Sequence, residues 1–188
     1  MELDLRNVIY LFFRLSPIIL VGYFVLQSFF NSDVKGLFYL AGLLITTIVT
    51  ILASRSEIFK LENTDYFCKG ITFGHEMLSY LPLSQTILIY TFSYVLTVIV
   101  EYSTWNINMP TFVLLFVLIM SDFMWNLKNG CSDIKNILVT WIIAFMIGFT
   151  WTRYLLSTGH DIVFFHGVSD ANVCKMNTNN FRCRLKKQ

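Results

Sequence analysis

Residues capable of chemistry are concentrated in the longest polar segment of the chain, residues 55–81. His75 and Glu76 are adjacent in this segment, and Asp65 and Lys69 lie nearby. A histidine beside a carboxylate can act as a general acid–base pair. We favour the alternative, an interfacial histidine that hydrogen-bonds near lipid headgroups, because one such pair without further ligands is a weak catalytic signature.

Metal chemistry has little support in the sequence. The zinc-protease pattern H-E-x-x-H is absent, because the fourth position after the histidine is Ser79. His160 and His166 are close in sequence, but Cys174 and Cys183 lack the tight paired spacing of structural zinc ligands. The sequence therefore predicts neither a metal site nor a cofactor.

The composition indicates that a lipid bilayer is the solvent for this chain. Apolar residues make up 55% of the 188 residues, against about 45–50% in an average soluble protein. Charged residues make up only 14%, against about 25%, and the mean hydropathy is +0.60. So few charges could not cover the apolar surface of a soluble domain, so we expect an integral membrane protein.

The elements that would position any site are five apolar stretches. A membrane-spanning helix needs about 20 apolar residues, and continuous apolar runs favour helices over the alternating strands of a barrel. The sequence predicts an all-α, polytopic membrane bundle in residues 1–156, followed by a polar, basic tail in residues 157–188. The predicted spans are residues 8–30, 36–54, 83–100, 110–125 and 134–156.

The distribution of basic residues predicts the orientation of this bundle. With five spans, the N-terminus and the second and fourth connections share one side, while the opposite connections carry only Lys35. The positive-inside bias places the first side, and the N-terminus, in the cytosol. The basic tail would then be luminal or external, and its own charge is the main feature against this orientation. The basic residues of the cytosolic side are Arg6, Arg55, Lys60, Lys69, Lys128 and Lys135.

Cysteine positions agree with this topology. Cys68 and Cys131 fall in the predicted cytosolic connections, whereas Cys174 and Cys183 fall in the tail, separated by eight residues. In an oxidising compartment the tail pair is expected to form a disulfide. Two free thiols in a cytosolic tail are the alternative, and we favour the disulfide.

The order of spans and connections resembles the core of the type 2 phosphatidic acid phosphatase (PAP2) membrane fold over residues 36–156. In that family, Pro-Ser-Gly-His opens one helix and a His-x-x-x-Asp ending precedes the last. Pro82-Leu83-Ser84-Gln85 and Asn129-Gly130-Cys131-Ser132-Asp133 stand at those places here. The resemblance implies a membrane site in which histidines, Lys and Arg handle a phosphate.

The catalytic histidines of this family are replaced in this chain. Gln85 stands where the acid would be and Asn129 where the nucleophile would be, and neither side chain can perform those steps. The resemblance therefore implies a catalytically inactive relative of the PAP2 enzymes. If the protein were active, the candidate catalytic residues would be His75, Glu76 and Asp133. The candidates for binding a phosphate or a lipid headgroup are Arg55, Lys60 and Lys69.

The span order, the "LPLSQT" segment and the tail cysteines are also similar to small membrane proteins that large DNA viruses encode on this degenerate plan. That similarity implies a component of a virion internal membrane, or of the endoplasmic reticulum from which it derives. Its partners would be the bilayer and, through the tail, capsid or other membrane proteins. The net charge of +2 gives no argument for nucleic acid.

Two polar features of the spans can be interpreted independently of the PAP2 resemblance. Residues 82–86 predict the cap of a helix, with Pro82 in the first turn and Ser84 and Thr86 satisfying free backbone groups. Arg14, inside the first span, needs a carboxylate partner such as Asp122 or Glu101, or must reach the headgroups. We favour the second possibility for Arg14.

Three functions are compatible with these features. The first, which we favour, is a non-enzymatic structural or scaffolding membrane protein. The second is a PAP2-type lipid phosphatase that uses displaced residues such as His75. The third is a lipid-binding protein that keeps the headgroup cleft without the chemistry. The missing histidines argue against the phosphatase.

Overall fold

The structure is a computed structural model that describes residues 5–56, 59, 72–73, 76–77, 79–158, 163, 175–177 and 180–182. Within these ranges the chain forms five helices and two short hairpins. The helices are α1 (Leu5–Phe30), α2 (Lys35–Ser54), α3 (Leu83–Tyr102), α4 (Trp105–Lys128) and α5 (Ile134–Thr158). The antiparallel hairpins pair β1 (Thr72–Phe73) with β2 (Glu76–Met77), and β3 (Lys175–Asn177) with β4 (Asn180–Arg182).

The predicted class, a helical bundle of membrane-protein type, is confirmed. Four helical segments are long and apolar enough to cross a membrane, and within α1 the apolar segment Leu15–Phe30 is shorter. Large apolar side chains on the outer faces of the helices are exposed, among them Leu44 and Ile48 of α2 and Ile142 and Met146 of α5. Hydrocarbon tolerates such surfaces, whereas water would penalise them at about 25 cal/mol per Å².

Helix α3 is the centre of the bundle. It packs against α2, α4 and α5, and its side chains are buried on most of its circumference, including Leu88, Tyr94, Val95 and Val98. A helix that is apolar all round must be enclosed by other helices or by lipid. Helices α2, α4 and α5 bury one face against α3, whereas α1 packs mainly against α2.

The fourth span is longer than the sequence predicts, which is residues 110–125. Helix α4 begins at Trp105, so Pro110 lies inside the helix and does not mark its start. The first turn is supported by Asn108, whose backbone N–H and side-chain amide both donate to the carbonyl of Thr104, at 3.3 and 3.2 Å. At the other end α4 continues to Lys128. The 24-residue helix is therefore long enough to span without shielding by its neighbours.

A cluster of buried aromatic rings joins α1, α2 and α3, and we call Phe24, Tyr39, Tyr90 and Tyr94 the Tyr39 cluster. The ring centroids of Phe24 and Tyr39 are 4.6 Å apart, and those of Tyr39 and Tyr90 are 5.5 Å apart. The hydroxyl of Tyr39 lies 2.7 Å from that of Thr91. The Tyr90 hydroxyl donates to the carbonyl of Tyr39 at 3.0 Å, so the buried hydroxyls of these two tyrosines are paired, as burial requires.

Candidate functional site

The start of α3 is held by backbone geometry and not by a side-chain cap. Pro82 precedes the helix with extended dihedrals (φ −69°, ψ 104°), and no side chain caps the first turn. The backbone N–H of Thr86 donates to the carbonyl of Pro82 at 3.1 Å, and the Thr86 hydroxyl donates to the same carbonyl at 3.3 Å. The segment marks the start of the helix as predicted, with Pro82 at the N-cap and not in the first turn, but the Ser84 hydroxyl donates to another helix and not to the local backbone.

The acceptor for Ser84 is Asp122 of α4. The Ser84 hydroxyl and the Gln85 side-chain amide both donate to Oδ2 of Asp122, at 2.8 and 2.7 Å. Asn126, one turn beyond Asp122 on α4, donates to the same oxygen at 3.0 Å and to the backbone carbonyl of Asp122 at 2.7 Å. Asp122 is only 2% exposed and Gln85 is fully buried. One carboxylate oxygen thus collects three donors from two helices.

Helix α5 joins this arrangement through Trp141. Its indole N–H donates to Oε1 of Gln85 at 2.9 Å, while the Gln85 amide nitrogen also lies 3.4 Å from the carbonyl of Ile119. Gln85 therefore connects α3 to both α4 and α5. We call Ser84, Gln85, Asp122, Asn126 and Trp141 the Asp122 cluster.

The side chains of the Asp122 cluster are joined to one another by hydrogen bonds. Gln85 uses its oxygen as an acceptor and its nitrogen as a donor, and the donors of Ser84 and Asn126 are also engaged. Buried polar groups stabilise a fold when they are satisfied and cost free energy when they are not. The network therefore fixes the relative positions of three helices, roughly 9 Å from the end of α4 at 1.5 Å per residue.

Phe59, five residues after the end of α2, contacts the start of α5. The side-chain amide of Asn136, in the first turn of α5, donates to the backbone carbonyl of Phe59 at 3.2 Å. Asn136 is buried, so this contact lies within the packed end of the helices. It brings the start of the predicted catalytic segment beside α5.

The structure describes the side chains of two of the predicted catalytic and phosphate-binding residues, Arg55 and Asp133. Arg55 is exposed at the C-terminal cap of α2. Asp133 is also exposed, and its backbone carbonyl accepts from the N–H of Ile137 at 3.1 Å at the start of α5. Glu76 belongs to β2, but its side chain is outside the described part of the structure. The predicted residues outside the described ranges are His75, Lys60 and Lys69.

Gln85 and Asn129, the two positions predicted to replace histidines, are separately engaged. Gln85 is enclosed in the Asp122 cluster, whereas the Asn129 side chain donates to the backbone carbonyl of Trp125 at 2.9 Å at the end of α4. No group of three or more potential metal ligands occurs among the described residues. Within those ranges, the polar groups at this end of the bundle support helix packing.

The charged residues of the opposite end form their own pair. Arg153 of α5 donates to the carboxylate of Glu101 at the end of α3, and its guanidinium carbon lies 5.6 Å from the centre of the Phe149 ring. Both partners are largely exposed. Glu101, one proposed partner of Arg14, is therefore bound by Arg153. The Arg14 side chain lies outside the described part of the structure, so its reach to the headgroups stays a prediction.

One cysteine bond involves the turn between α4 and α5. Cys131 is disulfide-bonded, and its partner lies outside the described residues, which include no other cysteine. The predicted Cys174–Cys183 bond also falls outside the described residues and stays a prediction.

The sequence interpretation missed the Asp122 cluster as a unit. The available signal was the pair Asp122 and Asn126, four residues apart in an otherwise apolar run, since such residues share a helix face and are costly in a membrane. Nothing in the sequence indicates that Gln85 and Trp141 complete the network. Both are distant from Asp122 in the chain and approach it only when the helices pack.

The fold and the Asp122 cluster define a class, an all-helical integral membrane protein whose helices are joined by buried polar contacts. Comparisons with family models, curated proteins and solved structures find no match for this chain. The PAP2 resemblance therefore stays a prediction from the residues quoted above.

Proposed function

We propose that this chain is a non-enzymatic, structural or scaffolding membrane protein. The Asp122 cluster is the observation that carries this proposal, because its polar groups are directed at one another across α3, α4 and α5. A site that processes a substrate needs polar groups directed at the substrate. In this proposal α1 also crosses the membrane, which brings the number of spans to five. The tail after α5 is presented to a capsid or membrane-protein partner.

The proposal treats the chain as a degenerate PAP2-like pseudoenzyme. Gln85 and Asn129 occupy the places of the family histidines, and both side chains donate hydrogen bonds within the bundle. An amide can neither attack phosphorus nor supply a proton as an acid. A virion internal membrane, or the endoplasmic reticulum, is the proposed location, on the sequence similarities given above.

A hydrolysis assay tests the absence of enzymatic activity. We expect purified protein in detergent micelles to release no phosphate from phosphatidic acid or from a soluble aryl phosphate above the level of a His75→Ala variant. The reason is that amide side chains, those of Gln85 and Asn129, stand at the two places where the PAP2 resemblance expects histidines, and an amide can act neither as nucleophile nor as acid. Turnover that disappears in His75→Ala would contradict the proposal, and Asp133→Asn would then test the second candidate residue.

The orientation of the bundle has two conflicting indicators. Basic residues place the N-terminus and the α4–α5 turn in the cytosol, and we retain this orientation in the proposal. The disulfide at Cys131 favours the opposite orientation, because disulfides are rare in the cytosol.

Thiol labelling in sealed vesicles distinguishes the two orientations. We expect a membrane-impermeant maleimide to reach Cys174 and Cys183 from the external side only after reduction, because the tail is external and its thiols are paired. Cys131, which is disulfide-bonded, should react only after the vesicles are both permeabilised and treated with a reductant, and a Cys131→Ser variant identifies its signal. Labelling of Cys131 from outside in intact, reduced vesicles would invert the topology.

A further inference from the structure

The turn between α4 and α5 holds Cys131 in a fixed backbone position. Gly130, which follows the C-cap of α4, is left-handed with φ 62°, and its N–H donates to the carbonyl of Leu127 at 3.2 Å. The N–H of Cys131 donates to the carbonyl of Asn126 at 2.9 Å. These two bonds form a Schellman motif, a common C-terminal stop of a helix. Cys131 is therefore anchored to the end of α4, and it is disulfide-bonded within this single chain.

Three cysteines of the chain could be the partner of Cys131. One is Cys68, in the connection between α2 and α3, and the others are Cys174 and Cys183, in the tail after α5. All three lie outside the described residues. The partner therefore has to be inferred from which of them can reach the turn between α4 and α5.

Helix α5 separates this turn from the tail. Cys131 precedes the helix, and α5 is one of the helices that are long and apolar enough to cross a membrane, so the tail begins on the opposite face. A return through hydrocarbon needs about 20 apolar residues in a helix. Only residues 159–173 separate α5 from Cys174, and two of them are aspartates. The segment before Cys183 also includes the β3–β4 hairpin, so neither tail cysteine can reach Cys131.

The tail cysteines are in addition placed to bond with each other. Strands β3 and β4 pair so that Lys175 is opposite Arg182. Continued by one residue, this register places Cys174 opposite Cys183. Opposed residues of antiparallel strands have Cα atoms about 4.5–5.5 Å apart, within the range of about 4.4–6.8 Å that disulfides span. This pairing leaves Cys68 as the partner of Cys131.

The connection that contains Cys68 lies on the same face as Cys131. Helices α3 and α4 are both long enough to cross the membrane, so the α2–α3 connection and the α4–α5 turn share one face. The connection also begins beside α5, because the Asn136 side-chain amide donates to the carbonyl of Phe59 at 3.2 Å. Cys68 follows Phe59 by nine residues, a reach of up to about 30 Å. Cys131 precedes Asn136 by five residues, at most about 18 Å of chain, so the two cysteines are within reach of each other.

We propose that Cys131 is bonded to Cys68, and that this disulfide ties the α2–α3 connection to the end of α4. The bond closes a covalent loop, residues 68–131, that contains α3 and α4. Its formation takes two protons and two electrons from the two thiols, and a second disulfide, such as oxidised glutathione, accepts them and becomes two thiols. The assignment holds for either orientation of the bundle, and for an enzyme as well as for a scaffold.

Peptide mapping without reduction tests this pairing. The intact protein in detergent micelles is equilibrated with reduced and oxidised glutathione, free thiols are blocked with N-ethylmaleimide in SDS, and the tryptic peptides are analysed by mass spectrometry. Cleavage after Lys and Arg places each cysteine on a different peptide. We expect residues 61–69 to be joined to residues 129–135, and residues 154–175 to residues 183–184, with both joined masses lost after reduction.

Two matched substitutions identify the partner independently. In Cys68→Ser we expect Cys131 to change from bonded to free, so that residues 129–135 carry maleimide or glutathione. In Cys174→Ser the freed thiol should be Cys183, and Cys131 should stay bonded. Both variants remove one cysteine from the chain, so the difference between them reports only the pairing.

Two results would overturn the assignment. The first is a peptide of residues 129–135 joined to either tail peptide or to a second copy of itself. The second is a peptide of residues 129–135 that carries maleimide or glutathione in the unmodified protein. Because both results are read from the unmodified chain, a variant that fails to accumulate does not affect them.

Discussion

Replacing Gly42 by alanine is expected to lower the free energy of unfolding by about 2–3 kcal/mol, since overpacking a core costs about 1–3 kcal/mol and buried hydrogen bonds are lost as well. A Cβ atom at Gly42 would overlap the hydroxyl of Tyr90 and the indole of Trp151. Neither group is free to move. The Tyr90 hydroxyl donates to the carbonyl of Tyr39 at 3.0 Å, and the Trp151 indole N–H donates to that of Phe38 at 3.0 Å.

The same chain supplies the control for this substitution. A Cβ atom at Gly22, in the interior of α1, would meet no atom within 4 Å. Alanine at Gly22 should therefore leave stability unchanged or raise it by up to about 1 kcal/mol, because glycine is a poorer helix former. The measurement is SDS-induced unfolding in mixed micelles, followed by tryptophan fluorescence.

The comparison of these two glycines separates packing from helix propensity. If Gly42→Ala and Gly22→Ala changed the free energy of unfolding by the same amount, α2 could not approach α3 and α5 as closely as described. A larger side chain at Gly42, such as valine, should prevent the folded bundle from accumulating at all, since it adds two further methyl groups to the same occupied space.

The second large effect is expected for Asp122→Ala, which should lower the free energy of unfolding by about 2–3 kcal/mol. This substitution leaves the donors of Ser84, Gln85 and Asn126 without their common acceptor. Interhelical hydrogen bonds in membranes average about 0.6 kcal/mol each, and buried groups that are left unsatisfied cost more. Asp133→Ala, at an exposed residue of the same end of the bundle, is the matched control and should have little effect.

A double-mutant cycle distinguishes a network from independent contacts. Gln85→Leu and Asp122→Leu should each be costly, while the combination should cost less than their sum by about 1 kcal/mol, within the usual range for contacting residues. The double substitution removes both the donor and the acceptor of this pair, so neither is left unsatisfied by loss of the other, while Ser84, Asn126 and Trp141 lose the same partners as in the single variants. Strict additivity would show that the hydrogen bond between Gln85 and Asp122 contributes nothing to stability. That result would contradict the description of the Asp122 cluster as a network.

The helical segments could largely be predicted from composition and run length. Helix α2 was predicted as residues 36–54 and is Lys35–Ser54 in the structure; α5 was predicted as residues 134–156 and is Ile134–Thr158. The predicted start of α4, residue 110, is wrong because a proline there favours a helix boundary, whereas the helix begins at Trp105. A proline near the beginning of a helix breaks few backbone hydrogen bonds, so the five residues before it can still be helical.

The candidate site was less predictable than the helices. Gln85 was interpreted as a replaced histidine beside a cap, and Ser84 as part of that cap. In the structure both side chains donate to Asp122, 37 and 38 residues away in the chain. Polarity in an apolar run indicates that a partner must exist, but it does not identify the partner.

The sequence by itself determined the solvent and the secondary structure of this protein, because only helices can satisfy the backbone of long, continuously apolar runs in hydrocarbon. The tertiary structure alone decided which faces meet: that α3 is enclosed, that Gly42 admits Tyr90 and Trp151, and that Gln85 connects Asp122 to Trp141. The physical reason is that hydropathy is nearly uniform around α3 and α4, the two helices that supply most of these contacts. Their rotation is therefore set by steric fit and by a few polar partners that are distant in the chain.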